Sequence, residues 1–341
     1  MAVSSPAYGS DQSGLISGYV FSADGVGRAV DTQGAEDWLR GQSAAGLPAG
    51  GFMWLHFNAA NAATARWIEG KLKLSEEFFE ALREGTRSTR VEYAGASLVA
   101  ILNDLVYDFS SKESSQAATL WLSVDSKLLV SVRHTPLRSI DRLRQAVKAG
   151  EAFFSPLSLV LHLLRDQGDV LLSIIRRTAV QVDGIEDELL SGRLRAQRVS
   201  LGTLRRDLVR LQRLLAPEPA ALFRLLNRPP AWIAEHDATE LRQSAEEFAV
   251  ILRDMTSLQE RIKLIQEEIA AMINERTGRT VFVLTAVTVL ALPVNMIAGL
   301  FGMNVGGVPY NQDPEGFWLV VGIVLALSAV AGWLVFRDRG D

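Results

Sequence analysis

Two apolar runs near the C-terminus limit what this chain can fold into. No charged residue occurs from Thr280 to Gln312. Val281–Phe301 supplies 21 residues, VFVLTAVTVLALPVNMIAGLF, and Phe317–Phe336 a further 20, FWLVVGIVLALSAVAGWLVF. At about 1.5 Å of rise per residue, each crosses the roughly 30 Å hydrocarbon core of a bilayer as a helix. Two such runs, both of spanning length and both free of charge, predict two transmembrane helices rather than two buried core helices. Arg276 and Arg279 precede the first run, Arg337 and Arg339 follow the second, and the joining segment 302–316 has no Lys or Arg. The positive-inside rule then places both termini in the cytoplasm and the short loop outside. Trp318 and Trp333 stand near the two ends of the second span, where interfacial aromatics belong.

Composition removes several classes. Net charge is -4 over 341 residues, so bulk electrostatics does not point to nucleic acid. There is no cysteine, hence no disulfide and no thiolate metal site. The N-terminus lacks a basic region followed by an apolar one, so the N-terminal part is expected to stay in the cytoplasm. No phosphate-binding loop, nucleophile elbow or His-Glu-x-x-His is present, and no enzyme is expected. The Arg-rich segment Arg193–Arg213 alternates with leucines at helical spacing, which reads as a solvated helix face.

The expected fold class is α+β: a cytoplasmic domain with a mixed sheet and helices, joined by a very long helix to two transmembrane helices. Residues 51–58, 96–109 and 118–136 have the β-branched and aromatic content of strands, the last with a hairpin turn at Asp125-Ser126-Lys127. Helices are predicted at 33–45, 59–72 and 75–84, the last starting at Ser75. Past Pro136 the pattern is helical, with Pro217 and Pro219 ending one helix. The partition is a flexible N-terminus at 1–14, an α/β domain at 15–150 and a helical layer at 151–236. A long helix at 237–301 follows, entering the membrane near 280, then an external loop at 302–316, a second span at 317–336 and a C-terminus at 337–341.

The long helix carries the most information. Asp237 and Glu240 have capping-box spacing, and no proline follows until Pro293. Phe248, Ile251, Met255, Leu258, Ile262, Ile265, Ile269 and Met272 recur in alternating steps of 3 and 4, a 3.5-residue repeat. A rod of about 95 Å needs neighbours, and two spans cannot enclose a water path. Both arguments predict a homo-oligomer with the long helix facing its axis. Stepping back by sevens from Asn295 gives Thr288, Val281, Asn274, Glu267 and Glu260, a mostly polar stripe. Polar groups in lipid face a cavity or a partner. Thr288 and Asn295 are therefore pore candidates, with Leu284 and Leu292 as apolar constrictions. The alternatives are that Thr288 bonds back to its own helix and that Asn295 only bridges helices.

The segment LPVNMIAGLFGMN, residues 292–304, resembles the CorA superfamily of divalent-cation transporters, whose signature Gly-Met-Asn stands here as Gly302, Met303 and Asn304. The continuation NVGGVP at 304–309 is similar to the ZntB zinc-transporter branch. The resemblance implies a homopentameric funnel with the first span lining the pore. It further implies zinc movement through a bacterial inner membrane, proposed to be coupled to protons. Five Asn304 amides form a ring at the outer mouth in this reading, and neutral oxygens suit a hydrated divalent ion. Met303 is expected to pack. Asp313 and Glu315 raise the local cation concentration. Tightly held zinc prefers His and Cys. The four histidines, His56, His134, His162 and His236, have no ligand spacing, so no tightly bound metal and no cofactor is expected. His162 with Asp166, and His236 with its neighbours Glu235 and Asp237, are at most weak sites. Ligand chemistry alone suits magnesium as well as zinc. A CorA-type magnesium or cobalt channel is the alternative, and a membrane-anchored sensor or scaffold a more distant one.

Overall fold

The computed structural model describes residues 9–41, 51–85, 88–106, 117–191, 198–303 and 315–337. The chain folds as two compact units, Met1–Leu264 and Ile265–Asp341. In the first, a seven-stranded sheet is built from β1 (Leu15–Phe21), β2 (Gly27–Val30), β3 (Phe52–Asn58), β4 (Arg90–Ala94), β5 (Ser97–Leu105), β6 (Ala117–Val124) and β7 (Leu128–Arg133). Their order is β2-β1-β3-β7-β6-β5-β4. The β3–β7 pair is parallel and the other pairs are antiparallel, so the sheet is mixed, as expected.

Both faces of the sheet are covered, which is why β3, β5 and β7 read as nearly unbroken apolar runs. Alternation along β3 sorts its side chains. Met53, Leu55 and Phe57 join a core with Ala35 and Trp38 of α1 (Thr32–Gly41), Trp67 and Ile68 of α2 (Ala62–Lys71), and Phe78 and Phe79 of α3 (Glu76–Glu84). Phe52 and Trp54 join the opposite core. That core takes in Ile140 and Leu143 of α4 (Arg138–Lys148), Leu157–Leu164 of α5 (Pro156–Leu190) and Leu222 of α7 (Pro217–Leu226). Leu241 and Ala245 of α8 (Glu235–Phe301) complete it. Between α5 and α7 lies α6 (Arg198–Leu215), and α9 (Gly316–Arg337) ends the described chain.

The turn at Asp125 is confirmed: its Oδ1 accepts from the Lys127 and Leu128 amides at 2.7 and 2.8 Å. Ser75 does sit at the N-cap of α3, though its hydroxyl makes no capping bond. Strands β1, β2 and β4 went unanticipated because all three are short or only partly buried, so their alternation is diluted. Pro217 does not merely end a helix. After α6 stops at Leu215, Pro217 opens α7 at the first helical position, where its missing N–H costs nothing. The capping box expected at Asp237 and Glu240 is also corrected. Helix α8 begins at Glu235, and Asp237 accepts from the Ser155 hydroxyl at 2.9 Å. Ser155 carries the capping box itself, exchanging bonds of 3.0 and 3.3 Å with Ser158 at the start of α5.

Candidate functional site

The site expected from the sequence lies on α8 and the turn after it. The apolar repeat of α8 is taken up inside the first unit as far as it belongs there: Phe248, Met255, Leu258 and Ile262 are buried. The partners are α5 and α6. A Cβ added at Gly168 of α5 would stand 3.4 Å from the Ile251 side chain. Gln212 of α6 donates to Thr256 Oγ1 at 2.6 Å. Arg261 forks between Asp183, at 2.6 Å, and Glu186. The repeat is therefore the face by which α8 packs on its own subunit, and the side of α8 left for a neighbour is another one. The polar stripe is different. Glu260, Glu267 and Asn274 are all exposed, Glu260 lying 3.9 Å from Lys263.

From Thr280 onward α8, and α9 with it, is apolar around its circumference. Along that stretch the half-buried or buried positions of α8 are Phe282, Ala286, Leu290, Pro293, Val294 and Ile297, which recur at helical spacing. Leu290 comes within 3.9 Å of a Cβ placed on Gly332 of α9, so this is the face toward α9. The other face presents Val281, Leu284, Thr288, Leu292 and Asn295, all exposed; Leu284 and Leu292 are 68% and 67% accessible. The five residues expected at a pore are thus brought together on the face that α9 leaves free. Both helices are long and apolar enough to cross a membrane, and exposure of this much apolar side chain is unsustainable in water. Thr288 donates to the Leu284 carbonyl at 2.9 Å, which realises the back-bonding alternative for its hydrogen.

At the end of α8 the Gly302 amide donates to the Ala298 carbonyl at 2.9 Å. A Cβ there would lie 3.0 Å from that same carbonyl oxygen, so the position favours glycine. Met303 follows and is half exposed. Asn304 and Asp313 lie outside the described residues. Glu315 opens α9, its carbonyl accepting from Trp318 and Leu319 at 3.0 and 3.2 Å.

The histidines are spread out. His56 is fully buried, with Nδ1 2.9 Å from Ser131 Oγ and Nε2 accepting from Arg133 Nε at 2.9 Å. His134 meets Trp121 edge-on. His162 faces Asp166 at 3.2 Å and Glu151 at 3.4 Å, and these carboxylates hold its pKa above the ordinary value. His236 lies 3.3 Å from Glu240 and 3.7 Å from Asp237. Among the described residues no three His, Asp or Glu side chains are placed to hold a metal ion.

Residues 49–337 match the family model described as CorA-like Mg2+ transporter protein. The chain belongs to the CorA family. A curated relative, the divalent cation transporter CmaX of Pseudomonas aeruginosa, is 31% identical over 335 residues, 96% of each chain. The zinc transport protein ZntB of Yersinia enterocolitica is 25% identical, over 82% of this chain and 86% of that one. Among solved structures, full-length CmaX matches with a TM-score of 0.81 at 29% identity, covering 97% and 99% of the two chains. The complete CorA magnesium transporter of Methanocaldococcus jannaschii gives 0.74 at 18% identity, covering 95% and 98%, a likeness of fold. The CorA family is one of transporters, so the chain is not an enzyme. The zinc branch suggested by NVGGVP is represented here by ZntB, beside CmaX, which is described only as a divalent cation transporter.

One constellation escaped the sequence reading. Glu218 of α7, Asp104 and Asn103 of β5, and Gln167 of α5 are buried together beneath the sheet edge. The available signal was a lone acidic residue held between Pro217 and Pro219 in a mostly apolar helix.

Proposed function

We propose that this CorA-family chain carries divalent cations through a membrane as a homopentamer, with the free face of α8 lining the path. The carrying observation is that face. Val281, Leu284, Thr288, Leu292 and Asn295 line up opposite α9, while the apolar seam farther up α8 is already buried within the subunit. A second subunit on the free face removes the exposed apolar surface from water, and several around an axis leave Thr288 and Asn295 facing a shared channel. Glu260, Glu267 and Asn274 continue that stripe on the cytoplasmic side. In this reading Asn304 amides ring the outer mouth behind Gly302 and Met303, and Asp313 and Glu315 draw cations toward it. Both termini lie in the cytoplasm of a bacterium whose inner membrane the two helices cross.

Zinc is the ion proposed, on the strength of residues 304–309 and the ZntB relatives, with proton coupling as its companion. The magnesium or cobalt reading has its own support in the family description and in the lack of cysteine. Flux of each ion into liposomes holding the purified protein, with and without a pH gradient, separates them. Zinc uptake that responds to the gradient supports the proposal. Magnesium flux without zinc flux overturns the zinc assignment. Asn304→Ala is expected to abolish flux and keep the oligomer mass; wild-type flux in that variant removes the filter role.

A further inference from the structure

We propose that Glu218 and Asp104 form a proton-binding site inside the N-terminal unit, whose occupancy decides how Gln167 ties α5 to the edge of the sheet. The argument starts at β5. Its ladder with β4 ends at the Arg90–Ile101 pair. The next residue of β5 that points its backbone toward that side is Asn103, and among the described residues no strand is paired with it there. Two side chains take the place of a strand. Glu218 Oε1 accepts from the Asn103 amide at 2.9 Å, and Gln167 Nε2 donates to the Asn103 carbonyl at 2.5 Å. The same Gln167 nitrogen gives its other hydrogen to Glu218 Oε2 at 3.0 Å. All three side chains are buried, Glu218 completely.

This ring suits a carboxylate, because every hydrogen in it points at Glu218 or at the Asn103 carbonyl. A protonated Glu218 has a hydrogen to give, and the atom facing Oε2 is an amide nitrogen that cannot accept it. Proton uptake therefore requires Gln167 to turn its amide oxygen toward Glu218. That turn releases the Asn103 carbonyl. Two hydrogen-bond arrangements result, one proton apart, and they differ in whether α5 is tied to β5.

The surrounding charges favour proton uptake. The charged group acting on Glu218 is Asp104, a second buried carboxylate. Asp104 is held by the Ser139 amide at 3.0 Å, the Ser139 hydroxyl at 2.9 Å and the Leu105 amide at 2.7 Å. From α5, Asp166 adds further negative charge toward Asp104, while itself facing His162 at 3.2 Å and Arg142 of α4 at 3.5 Å. Also on α4, Asp141 and Arg144 pair with each other at 3.3 Å, and the helix carries Arg138 and Lys148 at its two ends. On β4, Arg90 pairs with Glu92. From α6 comes the Leu214 carbonyl, 3.4 Å from Asn103 Nδ2, and from β6 the Thr119 hydroxyl, 3.3 Å from Asn103 Oδ1. Burial is the main force, lifting Glu218 to about 8 and Asp104 to about 6. The pair then holds one proton at neutral pH, and like charges keep the two carboxyls from ionising together until the medium is alkaline.

The test reads protonation, not transport, and so stands apart from the proposed ion. Infrared difference spectra of the full chain in detergent, stepped from pH 6 to pH 9, are expected to show a protonated-carboxyl carbonyl band that disappears on alkalinisation. Glu218→Gln should lose that band; a band of unchanged size overturns the site. Two further variants keep Glu218 and so cover a failure of Glu218→Gln to fold. Asp104→Asn removes the neighbouring charge and should move the midpoint down by about one pH unit. Gln167→Leu removes the donor that favours the ionised form and should move it up. A midpoint unmoved in both variants overturns the coupling.

Discussion

The Thr288 hydroxyl is bonded to the carbonyl of Leu284, one turn earlier on α8, at 2.9 Å. Its hydrogen is thereby spent inside the helix, although the side chain stands on the exposed face. Thr288→Val, which keeps the shape, should leave assembly intact and flux within about threefold of wild type. Asn295 makes no such bond among the described residues. Asn295→Leu replaces a polar group on the same face and should lower flux by at least about tenfold. Liposome flux with oligomer mass in detergent checks both; equal losses in the two variants contradict the distinction.

Gly302 sits where a Cβ would press on the Ala298 carbonyl oxygen, 3.0 Å away. That atom belongs to the backbone and cannot step aside cheaply. Gly302→Ala should distort the end of α8 at a cost of about 1 kcal/mol. Because Gly302 opens the Gly-Met-Asn motif, flux should fall more than stability does. A variant with normal flux would show that the turn tolerates the displacement.

Stability should respond to pH from two sides. His56 is buried beside Arg133, and burial first, then the nearby Arg133 and Arg144 charges, hold its pKa well below 6.5. Its contribution is present above the unfolded value of about 6.5 and is lost as pH falls below it. Glu218 acts in the opposite sense. Burial raises it from 4.5 to about 8, so its contribution is full below pH 4.5 and is lost as pH rises through 8. The thermal midpoint of the full chain should therefore pass through a maximum on the acid side of neutrality and decline toward pH 9. Glu218→Gln should flatten the alkaline limb and, between about pH 4.5 and 6.5 where the two groups oppose each other, steepen the acid one.

Arg261 and Ile262 are neighbours on α8 with unlike duties. Arg261 bridges Asp183 and Glu186 at the surface, where ion pairs contribute about 0–1 kcal/mol. Ile262 is completely buried in the seam. Arg261→Ala should cost at most about 1 kcal/mol, and Ile262→Ala about 2–5 kcal/mol. Denaturant unfolding of the two variants would settle the ranking.

The membrane helices were legible because a long charge-free run has few alternative structures, and β3, β6 and β7 because buried strands keep their apolar character throughout. Edge strands β2 and β4 were not, since their residues are half exposed and their pattern weak. The 3.5-residue repeat of α8 was legible as a buried face, but its partner was not. Periodicity says that a face is buried, and only the placement of α5 and α6 says against what. The same limit hid Glu218: one acidic residue carries no periodic signal, and its partners Asn103 and Gln167 come from distant parts of the chain.

The core that encloses Phe52 and Trp54 is finished by Leu241 and Ala245, which lie on the first turns of the helix that later enters the apolar run. During synthesis the sheet can pair as soon as β7 has emerged, and α4, α5 and α7 then cover this face, yet its core stays incomplete until that helix begins. Maturation of the water-exposed part and delivery of the hydrophobic tail to the insertion machinery therefore overlap in time. Any soluble fragment made for crystallisation or interaction studies should extend past Ala245, or it will leave the apolar core that Leu241 and Ala245 complete open to water.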